Sequence, residues 1–211
     1  MPDHDLSPAA VSGISYTVFV SSPGGLDDEK AVVFEEIEAF SRESAKDHKP
    51  PLRVIAWPTD IAAGTAGYGQ GVINRQTSHL DILVCLVGTR MGTPTPRANS
   101  GTEEEFDCAM EAILRGHPIQ LLLLFSDIAV HPQSIDPHQL LLVRAFREKA
   151  ARLGVLYHTF SHLNQLRHLF QVSLQKAYYA LIDRTSSIAY SPGSDLVSRS
   201  AIGKTDRKSV V

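Results

Sequence analysis

Apolar residues in this chain fall into short runs separated by glycine- and proline-rich breaks. The segment Tyr16-Thr-Val-Phe-Val-Ser21 is β-branched and aromatic and stops at Ser22-Pro23-Gly24-Gly25, which predicts a strand running into a turn. From Leu26 to about Lys46, Val32, Val33, Ile37 and Phe40 recur at near-helical spacing. Asp27, Asp28 and Glu29 precede them, as suits a helix N-terminus whose dipole favours acidic neighbours. Pro50-Pro51 ends that helix, and Leu52–Ala56 predicts a second short strand. Residues 57–71 read as a long loop and 72–79 as a short helix. Asp81-Ile-Leu-Val-Cys-Leu-Val87 is apolar after its first residue, the pattern of a strand buried on both faces of a parallel sheet. A second loop covers 88–101. Then come a helix from about Thr102 to Arg115, a strand Ile119–Phe125, a helix from about Pro137 to Leu153, a strand Val155–Phe160 and a last helix from about Leu163 to Arg184.

This alternation predicts a three-layer α/β fold, a doubly wound, flavodoxin-like parallel sheet of about five strands with helices on both faces. Such sheets bind ligands beyond the carboxyl ends of their strands, where the loops 57–71 and 88–101 are expected. The α/β domain is assigned to residues 15–185. A loose lead-in over 1–14 precedes it, and a tail over 186–211, rich in Ser, Gly, Arg and Lys, reads as disordered.

Composition narrows the class. With 43% hydrophobic residues in 211, a wholly disordered chain is excluded. No apolar run approaches the roughly 20 residues of a membrane helix. The opening Met-Pro-Asp-His-Asp is acidic where a secretory signal is basic. A net charge of -3 argues against an electrostatic nucleic-acid binder, and two cysteines are too few for a disulfide framework or a zinc site. The expectation is a cytoplasmic protein with no membrane or nucleic-acid partner, no metal and no permanently bound cofactor.

The most informative stretch runs from Gly88 to Asp107. A buried strand there delivers the chain to a donor-rich loop, which ends at a helix bearing Glu103, Glu104 and Glu105. Free N–H groups at a helix start suit anions, but three carboxylates would repel a phosphate placed directly on it. A carboxylate aimed at a sugar fits better. Thr102 and Glu105 also form the S/T-x-x-E capping pattern, which accounts for the glutamate without chemistry. Both readings stand together, since a cap would keep Glu105 ionised, as a nucleophile or oxocarbenium stabiliser must be. The turn Ser21–Gly25 either contacts a ribose or phosphate or simply caps a helix. Arg75 and Arg90 are pyrophosphate partners or surface charges, and Trp57 stacks on a base or packs. Gly203-Lys204-Thr205 lacks the first glycine of a phosphate loop, Ser198 standing in its place. The nine histidines show no ligand spacing, and Cys85 reads as a small apolar group in a strand.

Thr17-Val-Phe-Val-Ser-Ser-Pro-Gly24, Val72-Ile-Asn-Arg-Gln76, Asp81-Ile-Leu-Val84, Arg90-Met-Gly-Thr-Pro94 and Ser100-Gly-Thr-Glu-Glu-Glu-Phe106 follow one another as in a known family. The series resembles the TIR-like family catalogued as domain of unknown function 4062. The wider superfamily includes TIR domains that cleave NAD and nucleoside 2-deoxyribosyltransferases, in which the working carboxylate sits early in the helix after the third strand. Gly101-Thr102-x-x-Glu105 is similar to the transferase nucleophile motif, and Glu105-Phe106 to the catalytic step of TIR enzymes. The Trp-Cys pair common before that glutamate is Thr102-Glu103 here. The resemblance implies a signalling or defence domain with Glu105 as the catalytic residue. NAD or a related nucleotide would be its substrate, held by Ser22, Pro23, Gly24, Trp57, Gly88, Arg90, Gly92, Thr93 and Thr102. A non-catalytic interaction module and a deoxyribosyltransferase-like enzyme are the alternatives. The resemblance further implies control by self-association or by a sensor or NTPase partner, with the loop 57–71 and its Tyr68 at the contact.

Overall fold

The computed structural model describes residues 15–55 and 80–189. The expected lead-in 1–14, the loop 57–71, the helix 72–79 and the tail from 190 onward lie outside these residues. The elements are β1 (Tyr16–Ser21), α1 (Asp27–Lys46), β2 (Leu52–Ile55), β3 (Ile82–Val87), α2 (Gly101–Leu114), β4 (Gln120–Ser126), α3 (Pro137–Arg152), β5 (Tyr157–Phe160) and α4 (Leu163–Ala189). All strand pairs are parallel, in the order β2-β1-β3-β4-β5. The fold is therefore the expected three-layer flavodoxin-like α/β sheet.

Strand β3 is buried along its whole length, as its unbroken apolar run requires. Val18, Val20, Val84, Leu86 and Leu124 point to one face, where α1 brings Val33 and Ile37 and α4 brings Leu166, Phe170 and Tyr178. Phe19, Leu83, Cys85, Val87, Leu123 and Phe125 point to the other, against Phe106 and Ala109 of α2 and Val143, Phe146 and Ala150 of α3. The period-two alternation of the strands thus divides one sheet between two cores. Asp81 fixes the central register. Its carboxylate accepts a 2.7 Å hydrogen bond from the Thr17 amide, at the start of β1.

Several boundaries differ from expectation, two of them by two residues or more. Strand β5 begins at Tyr157 rather than Val155, and its first three residues are exposed, because it is an edge strand with β4 on one side only. Helix α4 continues to Ala189, past Arg184 and into the stretch assigned to the tail.

Candidate functional site at the carboxyl edge of β1 and β3

Leaving β1 the chain turns toward β2, whereas leaving β3 it turns the other way, toward β4. That reversal opens a crevice between the carboxyl ends of β1 and β3, the place where such sheets take ligands. The turn 22–25 and the loop 88–101 approach each other there. A Cβ on Gly88 would stand 2.9 Å from Leu26 Cδ2, and one on Gly92 would stand 3.3 Å from Pro23 Cβ. Gly92 also holds φ +95°, and Gly25, which closes the first loop, holds φ +89°. Of the candidate residues, Pro23, Gly88 and Thr102 are buried, Ser22 and Gly92 half-buried, and Gly24, Arg90 and Thr93 exposed. Trp57, Tyr68 and Arg75 lie outside the described residues.

The second loop is anchored from a distance. Gln139, in the first turn of α3, accepts hydrogen bonds at Oε1 from the Met91 and Gly92 amides, at 2.9 and 3.1 Å. Its Nε2 donates back to the Gly92 carbonyl at 3.2 Å. Three backbone groups of the loop are thereby satisfied by one side chain, and Met91 is driven into the core. No spacing in the sequence marks Gln139 for this task.

The start of α2 corrects the expected cap. The N-cap is Ser100, not Thr102, and the Ser100 Oγ accepts from the Glu103 amide at 3.0 Å. The glutamate that closes the cap is Glu103, whose Oε2 accepts from Asn99 N and Nδ2 at 3.2 and 2.9 Å. Lys149 of α3 reaches Glu103 at 2.8 Å and Asp107 at 2.7 Å. Burial works to raise the Glu103 pKa, but the hydrogen bonds from Lys149 and Asn99 outweigh it and hold the carboxyl below its ordinary value. It is Glu103, rather than Glu105, that the cap engages. Glu104 is also buried, with Oε1 3.7 Å from Arg97.

Glu105 has a different setting. Together with Phe19, Leu80, Leu83 and Cys108 it lines a cavity of about 30 Å³ between α2 and the sheet. Burial raises the Cys85 thiol pKa well above its ordinary value, and the negative charge of Glu105 raises it further. Cys85 is the register partner of Ser21, so the two side chains share this face of the sheet. Ser21 is 3% exposed, and its Oγ has no hydrogen-bond partner among the described residues. Glu105, Cys85 and Ser21 thus share one face of the sheet, while the cavity, lined also by Ile119 just before β4, reaches toward the amino ends of β3 and β4.

Among the described residues, no group of three or more His, Cys, Asp or Glu side chains could hold a metal ion. Nor is any of their helices long and apolar enough to cross a membrane. No curated protein matches the chain. A family model does match residues 17–175, reaching from β1 into α4, and by that match the chain belongs to the family described as domain of unknown function (DUF4062).

Proposed function

We propose that this domain is a TIR-like signalling or defence enzyme that cleaves the N-glycosidic bond between ribose and nicotinamide in NAD or a related nucleotide, with Glu105 as its carboxylate. One observation carries the reading. Of the three successive glutamates at the start of α2, Glu105 is the one that lines the cavity against Phe19 of β1 and Leu83 of β3, and its charge acts on the Cys85 thiol.

The chemistry tolerates so sparse a site. Nicotinamide in NAD is a cationic pyridinium, so the electron pair of the breaking C–N bond neutralises it and no general acid is needed. Ordinary glycoside hydrolysis needs a second carboxyl group for that step. Glu105 would stabilise the oxocarbenium-like transition state or attack it, and water would complete the hydrolysis to ADP-ribose and a proton. The loops 22–25 and 88–95 would hold the rest of the nucleotide, largely through backbone N–H groups. Control would come from self-association or a sensor partner, so the rate per molecule would rise with protein concentration.

The size of the cavity favours a second reading. At about 30 Å³ it has room for a water molecule or two and not for a nucleoside. If no ligand opens it, Glu105 is a structural carboxylate and the domain is an interaction module. Incubating the full chain with NAD and following nicotinamide release separates the two. Turnover that Glu105→Gln abolishes and Glu103→Gln leaves largely intact supports the enzyme. No turnover at any protein concentration supports the module.

A further inference from the structure

We infer that a second pocket on the same edge of the sheet, between the loops after β3 and β4 and the outer face of α3, binds an organic phosphate through Arg144 and Arg147. The pocket encloses about 430 Å³, within the range of small-molecule sites. It lies beyond the carboxyl ends of β3 and β4, one strand pair along from the switch point. Gly88 and Thr89 form one wall, so it borders the switch-point crevice.

Its charge points to an anion. Two arginines and one carboxylate, Asp127, line it. Arg147 is held rigidly: its Nη2 lies 3.1 Å from Asp127 Oδ1, and its guanidinium carbon stands 4.5 Å above the Phe125 ring. Even so, its Nε is buried with no hydrogen-bond partner among the described residues, a donor left over after the Asp127 pair is made. Arg144, one turn earlier on α3, is exposed and makes no ion pair among the described residues. Ser126 also lines the pocket, but its hydroxyl donates to Glu29 at 3.1 Å, and Glu29 itself does not line it. The remaining wall is apolar, with Ile128, Val130, Leu140 and Val143. Planar guanidiniums suit phosphate oxygens, and the apolar wall suits the base or sugar carbons attached to them.

This inference does not need the cleavage reaction. The phosphate could belong to the substrate of the proposed reaction or to a separate effector, and the experiment distinguishes them. Binding of ADP to the full chain would be measured by calorimetry, with adenosine and inorganic phosphate as the two half-ligands. ADP is expected to bind at least tenfold more tightly than either half, with an affinity that falls as salt rises. Arg144→Gln is expected to weaken ADP at least tenfold with an unchanged melting temperature. Because Arg147→Gln also removes the Asp127 pair, it is judged together with its melting curve. Glu105→Gln should leave ADP binding intact, which separates this pocket from the cleavage site. Competition between NAD and ADP would assign the phosphate to the substrate, and simultaneous binding would assign it to an effector. No ADP binding at millimolar concentration, or binding indifferent to Arg144→Gln, overturns the inference.

Discussion

Pro23 and Gly92 hold the two loops of the switch point against each other, since a Cβ on Gly92 would come within 3.3 Å of the Pro23 Cβ. The neighbour is a rigid ring, and Gly92 sits at φ +95°, where any L side chain is strained. Gly92→Ala is therefore expected to destabilise the domain by about 1–3 kcal/mol. Gly88→Ala is expected to cost less, because its obstacle is the flexible end of Leu26 and its φ is not positive. Urea denaturation of the two variants side by side checks the order.

Gln139 carries the second loop from α3, so its removal leaves three backbone groups of Met91 and Gly92 without partners. Gln139→Leu keeps the size of the side chain and removes its polar end. A loss of about 1–3 kcal/mol is expected. Amide exchange at Met91 and Gly92 should quicken by at least an order of magnitude, while exchange in β3 follows global stability. Unchanged protection at those two amides would show that the clamp does not hold in solution.

The fold is legible in the chain because each strand is a short apolar run bounded by a break, and because the run Ile82-Leu-Val-Cys-Leu-Val87 of β3 leaves no polar face to expose. The cap of α2 is not. Ser100-x-x-Glu103 and Thr102-x-x-Glu105 satisfy the same pattern two residues apart, and only the loop's entry, with Asn99 donating twice to Glu103, selects the first. Gln139 and Lys149 are illegible for another reason. Their partners lie 48 and 46 residues away, across a contact made only after α2 and α3 pack on the same face.

The Lys149 network sets two pH limits. The Glu103 pKa is depressed on folding, so its contribution is present above the ordinary glutamate value and is lost as pH falls through the lower folded value. For Lys149, burial works to lower the pKa, but hydrogen bonds to Asp107 and Glu103 outweigh it and raise it above 10.5. That contribution is present below 10.5 and lost as pH rises through the folded value. Lys149→Met is expected to lower stability at pH 7 by about 1–2 kcal/mol, because it leaves the buried Glu103 charge short of a partner. It should also flatten the alkaline fall-off. Melting temperatures from acid to alkaline pH for both proteins test this, and parallel curves would show that the network does not titrate with folding.

Ser21 carries a buried hydroxyl that has no hydrogen-bond partner among the described residues. A buried polar group in that state costs stability instead of adding it. It stands at the end of β1 beside Cys85, on the face to which Glu105 is turned, where a substrate hydroxyl would arrive under the proposed reaction. Stability and activity should therefore part company in Ser21→Ala. Removing the hydroxyl is expected to leave stability unchanged or to raise it by up to about 1 kcal/mol. Turnover of NAD is expected to fall by roughly tenfold, the loss of one hydrogen bond to the substrate. Thermal unfolding and nicotinamide release on the same preparations check both halves. A less stable variant with full turnover would mean that the hydroxyl serves the fold and that the ligand does not reach the end of β1.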